Sequence, residues 1–171
     1  MDVDLWSQIF VILLLIGVNA FFAASEMAIV SIRQSKLRPL IEDGNKSAKI
    51  VDKFIQEPSK LLATIQVGVT FAGFFASGLG AQTLAPYLVY ILQELNIPIL
   101  AAYANTIAFL LITVIISYVT LVLGELVPKR LALEWSDKIA LLVARPISFF
   151  SKIAFPIVKL LTGSTNVVVK L

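Results

Sequence analysis

The residues best placed to do chemistry are Gly124, Glu125, Pro128 and Lys129, in the stretch Leu123-Gly124-Glu125-Leu126-Val127-Pro128-Lys129. This stretch closes an apolar run, residues 99–127, long enough to cross a bilayer. An acid held in such a segment is costly, and its default meaning is an ion or proton pathway. The proline adds a second feature. In an α-helix the amide of residue 128 would bond the carbonyl of residue 124, but proline has no amide hydrogen and its ring crowds that carbonyl. Gly124 is therefore expected to carry a free backbone oxygen, unshielded by a side chain, beside the Glu125 carboxylate. Such a pair suits a hard cation, Mg²⁺ or Na⁺. The plainer alternative is an i,i+4 ion pair with Lys129, worth about 0.2–0.5 kcal/mol on an exposed helix. That pair would need neither the glycine nor the proline.

Polar residues recur at helical spacing in every apolar run. Gln66, Thr70, Gly73, Ser77 and Gly80 share one face of the second run, and Thr106, Thr113, Ser117, Thr120 and Gly124 one face of the third. In the first run Asn19, Ala23 and Glu26 do the same. Small and hydroxyl residues are also the ordinary means of close packing between membrane helices. Three stripes together with two intramembrane acids, Glu26 and Glu125, point further, to a polar cavity between helices with Gln66, Thr70 and Ser77 as oxygen donors. Glu26 has its own plain alternative, an ion pair with Arg33 two turns on.

The elements that must position these residues follow from composition. The chain has 171 residues, 58% hydrophobic and 15% charged, with mean hydropathy +0.92. Soluble domains hold about 45–50% apolar and about 25% charged residues, so an all-α integral membrane domain is expected. Cysteine and histidine are absent, which removes thiolate chemistry and the usual zinc ligands. No triad, phosphate loop or nucleophile elbow is present, and an enzyme is not expected. The net charge of +3 gives no reason to expect nucleic acid as a partner.

Three spans are predicted, over residues 5–32, 61–80 and 99–127, with a short separate helix after the second span, up to Leu92. The acidic Asp2 and Asp4 stand where a signal peptide would have a basic segment. Between the first two spans lies a basic loop, 33–60, expected to form a short helix or two joined by a turn at Asp43-Gly44-Asn45. No basic residue occurs between Lys60 and Lys129. The positive-inside rule then puts the N-terminus and the 82–98 region outside, and the loop and everything after Pro128 in the cytoplasm. Beyond Arg130, Lys138, Arg145, Lys152 and Lys159 recur every seven residues and form a basic stripe, with Pro146 and Pro156 expected to break the helix. An amphipathic belt on the inner leaflet fits this better than a fourth span, because each charge at the bilayer centre costs about 2.5–3.5 kcal/mol. The expected division is a membrane domain at 1–130, juxtamembrane interfacial helices at 131–161, and a linker at 162–171 whose Val167-Val168-Val169 reads as strand-like.

The segment Asn19-Ala20-Phe21-Phe22-Ala23-Ala24-Ser25-Glu26-Met27-Ala28-Ile29-Val30-Ser31, the basic loop after it, and the Gly-Glu-x-x-Pro-Lys element resemble the N-terminal transmembrane domain of the CNNM/CorC magnesium transporter family. The resemblance covers nearly the whole chain. It implies a homodimer in the plasma (inner) membrane, three spans per protomer, and Mg²⁺ export coupled to Na⁺ influx. It also implies a CBS-type cytoplasmic regulatory module following this domain. Metal ligands are implied near the glycine-glutamate motif and on the first two spans, which adds Ser25 to Gly124 and Glu125. The second span departs from the pattern. Where many relatives carry asparagines, Val69 and Gly73 stand here, so Thr70, Ser77 and Gln66 rest on the stripe alone. A rival reading is a membrane anchor and dimerisation domain for a cytoplasmic Mg²⁺ and nucleotide sensor that regulates another transporter. A passive cation channel is a third.

Overall fold

Each apolar run becomes one long helix in the computed structural model, which describes residues 3–95 and 97–169. Helix α1 is Val3–Ser31, α4 is Pro58–Glu94 and α5 is Pro98–Leu121. The third run does not stop at Leu121. It passes through one π-helical turn, Val122–Leu126, into α6, Val127–Glu134. Three segments, Leu5–Ser31, Pro58–Glu94 and Pro98–Glu134, are long and apolar enough to cross a membrane. Helices α1 and α4 pack together, α4 packs on α5, and α1 also packs on the π-turn and α6.

The predicted short helix after the second span does not form separately. Helix α4 runs unbroken through Pro86 for 37 residues, roughly 55 Å at 1.5 Å per residue. Proline is tolerated inside a membrane helix because neighbouring groups satisfy the backbone it frees. Pro58 and Pro98 open α4 and α5 from their first turns, where a missing amide costs nothing.

The basic loop forms two helices, α2 (Gln34–Glu42) and α3 (Lys46–Gln56). Gly44, at φ 83°, makes the left-handed turn between them, a conformation that favours glycine. Asn45 then caps α3 by accepting a hydrogen bond from the Ala48 amide at 3.1 Å.

Helix α7, Ser136–Ile153, carries Lys138, Arg145 and Lys152 of the predicted basic row, and α8, Phe155–Val169, which carries Lys159, follows after a 70° bend at Ala154. Pro146 sits inside α7 without ending it, whereas Pro156 lies in the first turn of α8 just past the bend. Lys138, Arg145, Lys152 and Lys159 are all exposed, flanked by exposed Leu142, Phe149 and Ile153. On the other side Ala140, Val143, Ala144 and Ile147 are buried. The small-residue face thus packs into the bundle, while the outward face mixes basic and apolar side chains; by length and composition the bent α7–α8 pair could also make one broken span. Residues 162–169 are not strand-like: Val167 and Val168 continue α8. A lone β-branched triplet has no partner strand here, and among the described residues there is no strand at all. Leu171, the end of the predicted linker, lies outside the described residues.

The tightest core lies at the basic end of the bundle. Ile29, Leu37, Val51, Leu61, Ile65 and Ile147 join α1, α2, α3, α4 and α7 into one cluster. The spans themselves leave Phe74, Ile99 and Val114 exposed, as surfaces made for lipid do.

Candidate cation site

The site is built where α1 meets the π-turn. Pro128 can give a hydrogen to no carbonyl, and the Val127 amide reaches back five residues, to the Val122 carbonyl. A π-turn of this kind widens one turn of helix and often marks a functional position. The carbonyl expected to be free is not. Gly124 O accepts a hydrogen bond from Asn19 Nδ2 at 3.0 Å, across 105 residues of chain. Glycine at 124 leaves room for that bond: a Cβ there would lie 2.9 Å from Asn19 Nδ2, so the amide would have to shift.

Beside this contact lies a cavity of about 310 Å³, lined by Asn19 from α1, by Val69, Thr70, Gly73, Phe74 and Ser77 from α4, and by Ser117, Thr120, Leu121 and Glu125 from the third span. Part of each stripe meets here: Asn19 of the first, Thr70, Gly73 and Ser77 of the second, and Ser117 and Thr120 of the third. Two buried oxygens there have no hydrogen-bond partner, Asn19 Oδ1 and Thr120 Oγ1, on residues 2% and 7% exposed. Buried acceptors are seldom left unpaired.

Other predicted residues lie elsewhere. Ser25 is fully buried, and its hydroxyl donates to the Phe21 carbonyl at 2.6 Å. It is not among the cavity's lining residues, because it stands about 120° around α1 from Asn19. Gln66 is exposed and donates to Thr70 Oγ1 at 3.1 Å. Glu26 does not pair with Arg33. Its Oε2 lies 3.3 Å from Lys129 Nζ, which also lies 2.8 Å from Glu125 Oε1. Among the described residues no group of three Asp or Glu side chains could hold a metal. Any cation here would meet one or two carboxylates and neutral oxygens.

Two arrangements escaped sequence patterning. Arg33 and Lys36 both reach Asp137 Oδ2, at 2.9 and 3.1 Å, tying the end of α1 and the start of α2 to the start of α7. The Arg33 hydrogen bond, aided by Lys36, holds the Asp137 carboxyl below its ordinary value of 3.8. Thr64 and Ser151, both buried, meet through their hydroxyls at 3.3 Å. The sequence offered no spacing signal for either, since the partners lie on different helices.

A profile of the cyclin M transmembrane N-terminal domain, CNNM, matches residues 10–171. The chain belongs to the CNNM family. Among relatives of this CNNM domain, UPF0053 protein sll0260 of Synechocystis sp. is 38% identical over 164 residues, 96% of this chain and 36% of that protein. UPF0053 protein YugS of Bacillus subtilis is 34% identical over 164 residues, 96% of this chain and 38% of that one. The polyamine export protein of Haemophilus influenzae is 27% identical over 172 residues, all of this chain and 39% of that one. The chain thus spans little more than a third of the length of these relatives. Family and helices together make it a multi-pass membrane domain.

Proposed function

We propose that this domain moves divalent cations, with Mg²⁺ exported against Na⁺ influx, through the cavity beside Glu125. One observation carries the reading: a carboxylate lining a cavity two of whose lining residues, Asn19 and Thr120, each hold a buried oxygen without a hydrogen-bond partner. Thr70 and Ser77, which line the same cavity, are the neutral ligands. Mg²⁺ takes octahedral oxygen coordination and keeps several waters, and a site with so few charges holds it weakly enough to release it. The positive-inside rule supports a cytoplasmic basic end in the plasma membrane. The reading places two copies in a homodimer, with CBS-type domains of the full-length chain as regulators, and assigns the domain no catalysed reaction.

The test is Mg²⁺ flux from proteoliposomes of the full-length protein, with and without a Na⁺ gradient. Glu125→Gln is expected to lower flux at least about tenfold, the effect of about 1.4 kcal/mol, while the protein still inserts. Wild-type flux in that variant removes Glu125 from the mechanism. The anchor reading draws support from Lys129, which already compensates Glu125 and Glu26; under it the wild-type protein moves no ion. Spermidine in the same vesicles tests the cargo class that the Haemophilus influenzae relative's name gives.

A further inference from the structure

Lys129 is the only cation with an ion pair to either intramembrane acid among the described residues. Its ammonium bridges Glu125 Oε1 at 2.8 Å and Glu26 Oε2 at 3.3 Å. Glu125 sits in the π-turn and Glu26 on α1, so a single side chain links the two helices at the edge of the cavity that Glu125 lines. All three side chains are partly open, 27% for Lys129, 29% for Glu26 and 32% for Glu125. The bridge is neither sealed nor fully solvated.

We propose that the Lys129 ammonium is a tethered occupant of the cation site, compensating the two carboxylates when no ion is bound and displaced when one arrives. This rests on the transport reading above and adds a means of control to it. Charge favours exchange over simple addition. Two carboxylates and one ammonium leave the cluster with one net negative charge. A divalent cation arriving beside an undisplaced ammonium would make it net positive, while displacement leaves it neutral. The lysine stem is flexible, and its head can move to water while its methylenes stay against apolar surface. Exchange also removes one ion-pair link between α1 and the third span, which the Asn19–Gly124 hydrogen bond still joins. A tethered competitor keeps affinity low and keeps the acids compensated between cargo ions.

The experiment measures Mn²⁺ binding, by the paramagnetic signal of free Mn²⁺, to the full-length protein in nanodiscs. Lys129→Gln removes the competitor and is expected to tighten binding about threefold to fivefold, the scale of a partly exposed ion pair. Lys129→Arg keeps the charge and is expected not to tighten it. A purely structural lysine predicts unchanged or weaker binding in both, and that result overturns the proposal. A second measurement needs no variant. Amine acylation of Lys129 in the wild-type protein, read by mass spectrometry, should rise when Mg²⁺ saturates, while acylation of Lys36, held on Asp137, stays constant. Lys129 labelling indifferent to Mg²⁺ overturns the proposal as well. Glu125→Gln separates the two levels. If binding does not depend on Glu125, the transport reading fails and takes the tether with it. Binding that depends on Glu125 but is not tightened by Lys129→Gln removes the tether alone.

Discussion

Replacing Gly124 with alanine puts one methyl group where α1 and the third span touch. The new Cβ would stand 2.9 Å from Asn19 Nδ2, 3.4 Å from Asn19 Cβ and 3.4 Å from the Ile16 carbonyl oxygen. The approach to the Ile16 carbonyl is ordinary contact, so it is the Asn19 amide that must turn away. Turning away breaks the 3.0 Å hydrogen bond to Gly124 O. A buried polar group left without its partner costs about 1–3 kcal/mol, which corresponds to about fivefold to a hundredfold in the share of molecules with the cavity intact. Both thermal stability in detergent and Mg²⁺ flux in proteoliposomes should fall. Gly73→Ala is the control. It lies on the same cavity, yet a Cβ there meets nothing within 4 Å, so stability should hold. Gly124→Ala with wild-type stability and wild-type flux would refute the reasoning that this contact builds the site.

Two further predictions concern the frame around the site. A Cβ on Gly80 would collide with Ile116 Cδ1, so Gly80→Ala should destabilise by about 1–3 kcal/mol through overpacking, and adding Ile116→Val, which deletes that atom, should restore most of the loss in a thermal melt. Asp137 has its carboxyl held below the ordinary 3.8 by Arg33 and Lys36, so its contribution to stability is present above that value and disappears as pH falls through the lowered one. Asp137→Asn should therefore lower the melting temperature at pH 7, and by less the further the pH falls below 3.8.

What the sequence could show was what repeats along one helix. The converging stripes were legible because Asn19, Thr70, Ser77, Ser117 and Thr120 each keep helical spacing with their neighbours. Pro128 marked the place where the backbone would depart from an α-helix, though not the Asn19 amide that takes the orphaned carbonyl, since that partner lies on another helix. Ser25 belongs to the motif but faces its own backbone, because motif membership fixes position and not rotation about the helix. Glu26 was close enough in sequence to suggest Arg33, yet tertiary packing brought Lys129 nearer and gave Arg33 to Asp137. Pro86 and the valines of α8 mislead for a related reason: local propensity is a weak guide where a membrane or a neighbouring helix satisfies the backbone.

The central claim is that the cavity beside Glu125 accepts a divalent cation. Anomalous diffraction from crystals of the full-length protein soaked in Mn²⁺ tests it most directly. The account predicts a peak between Asn19, Thr120 and the Glu125 carboxylate, at coordinating distance from that carboxylate. A cavity without a peak at saturating Mn²⁺, with Glu125 still held by Lys129 alone, would contradict it.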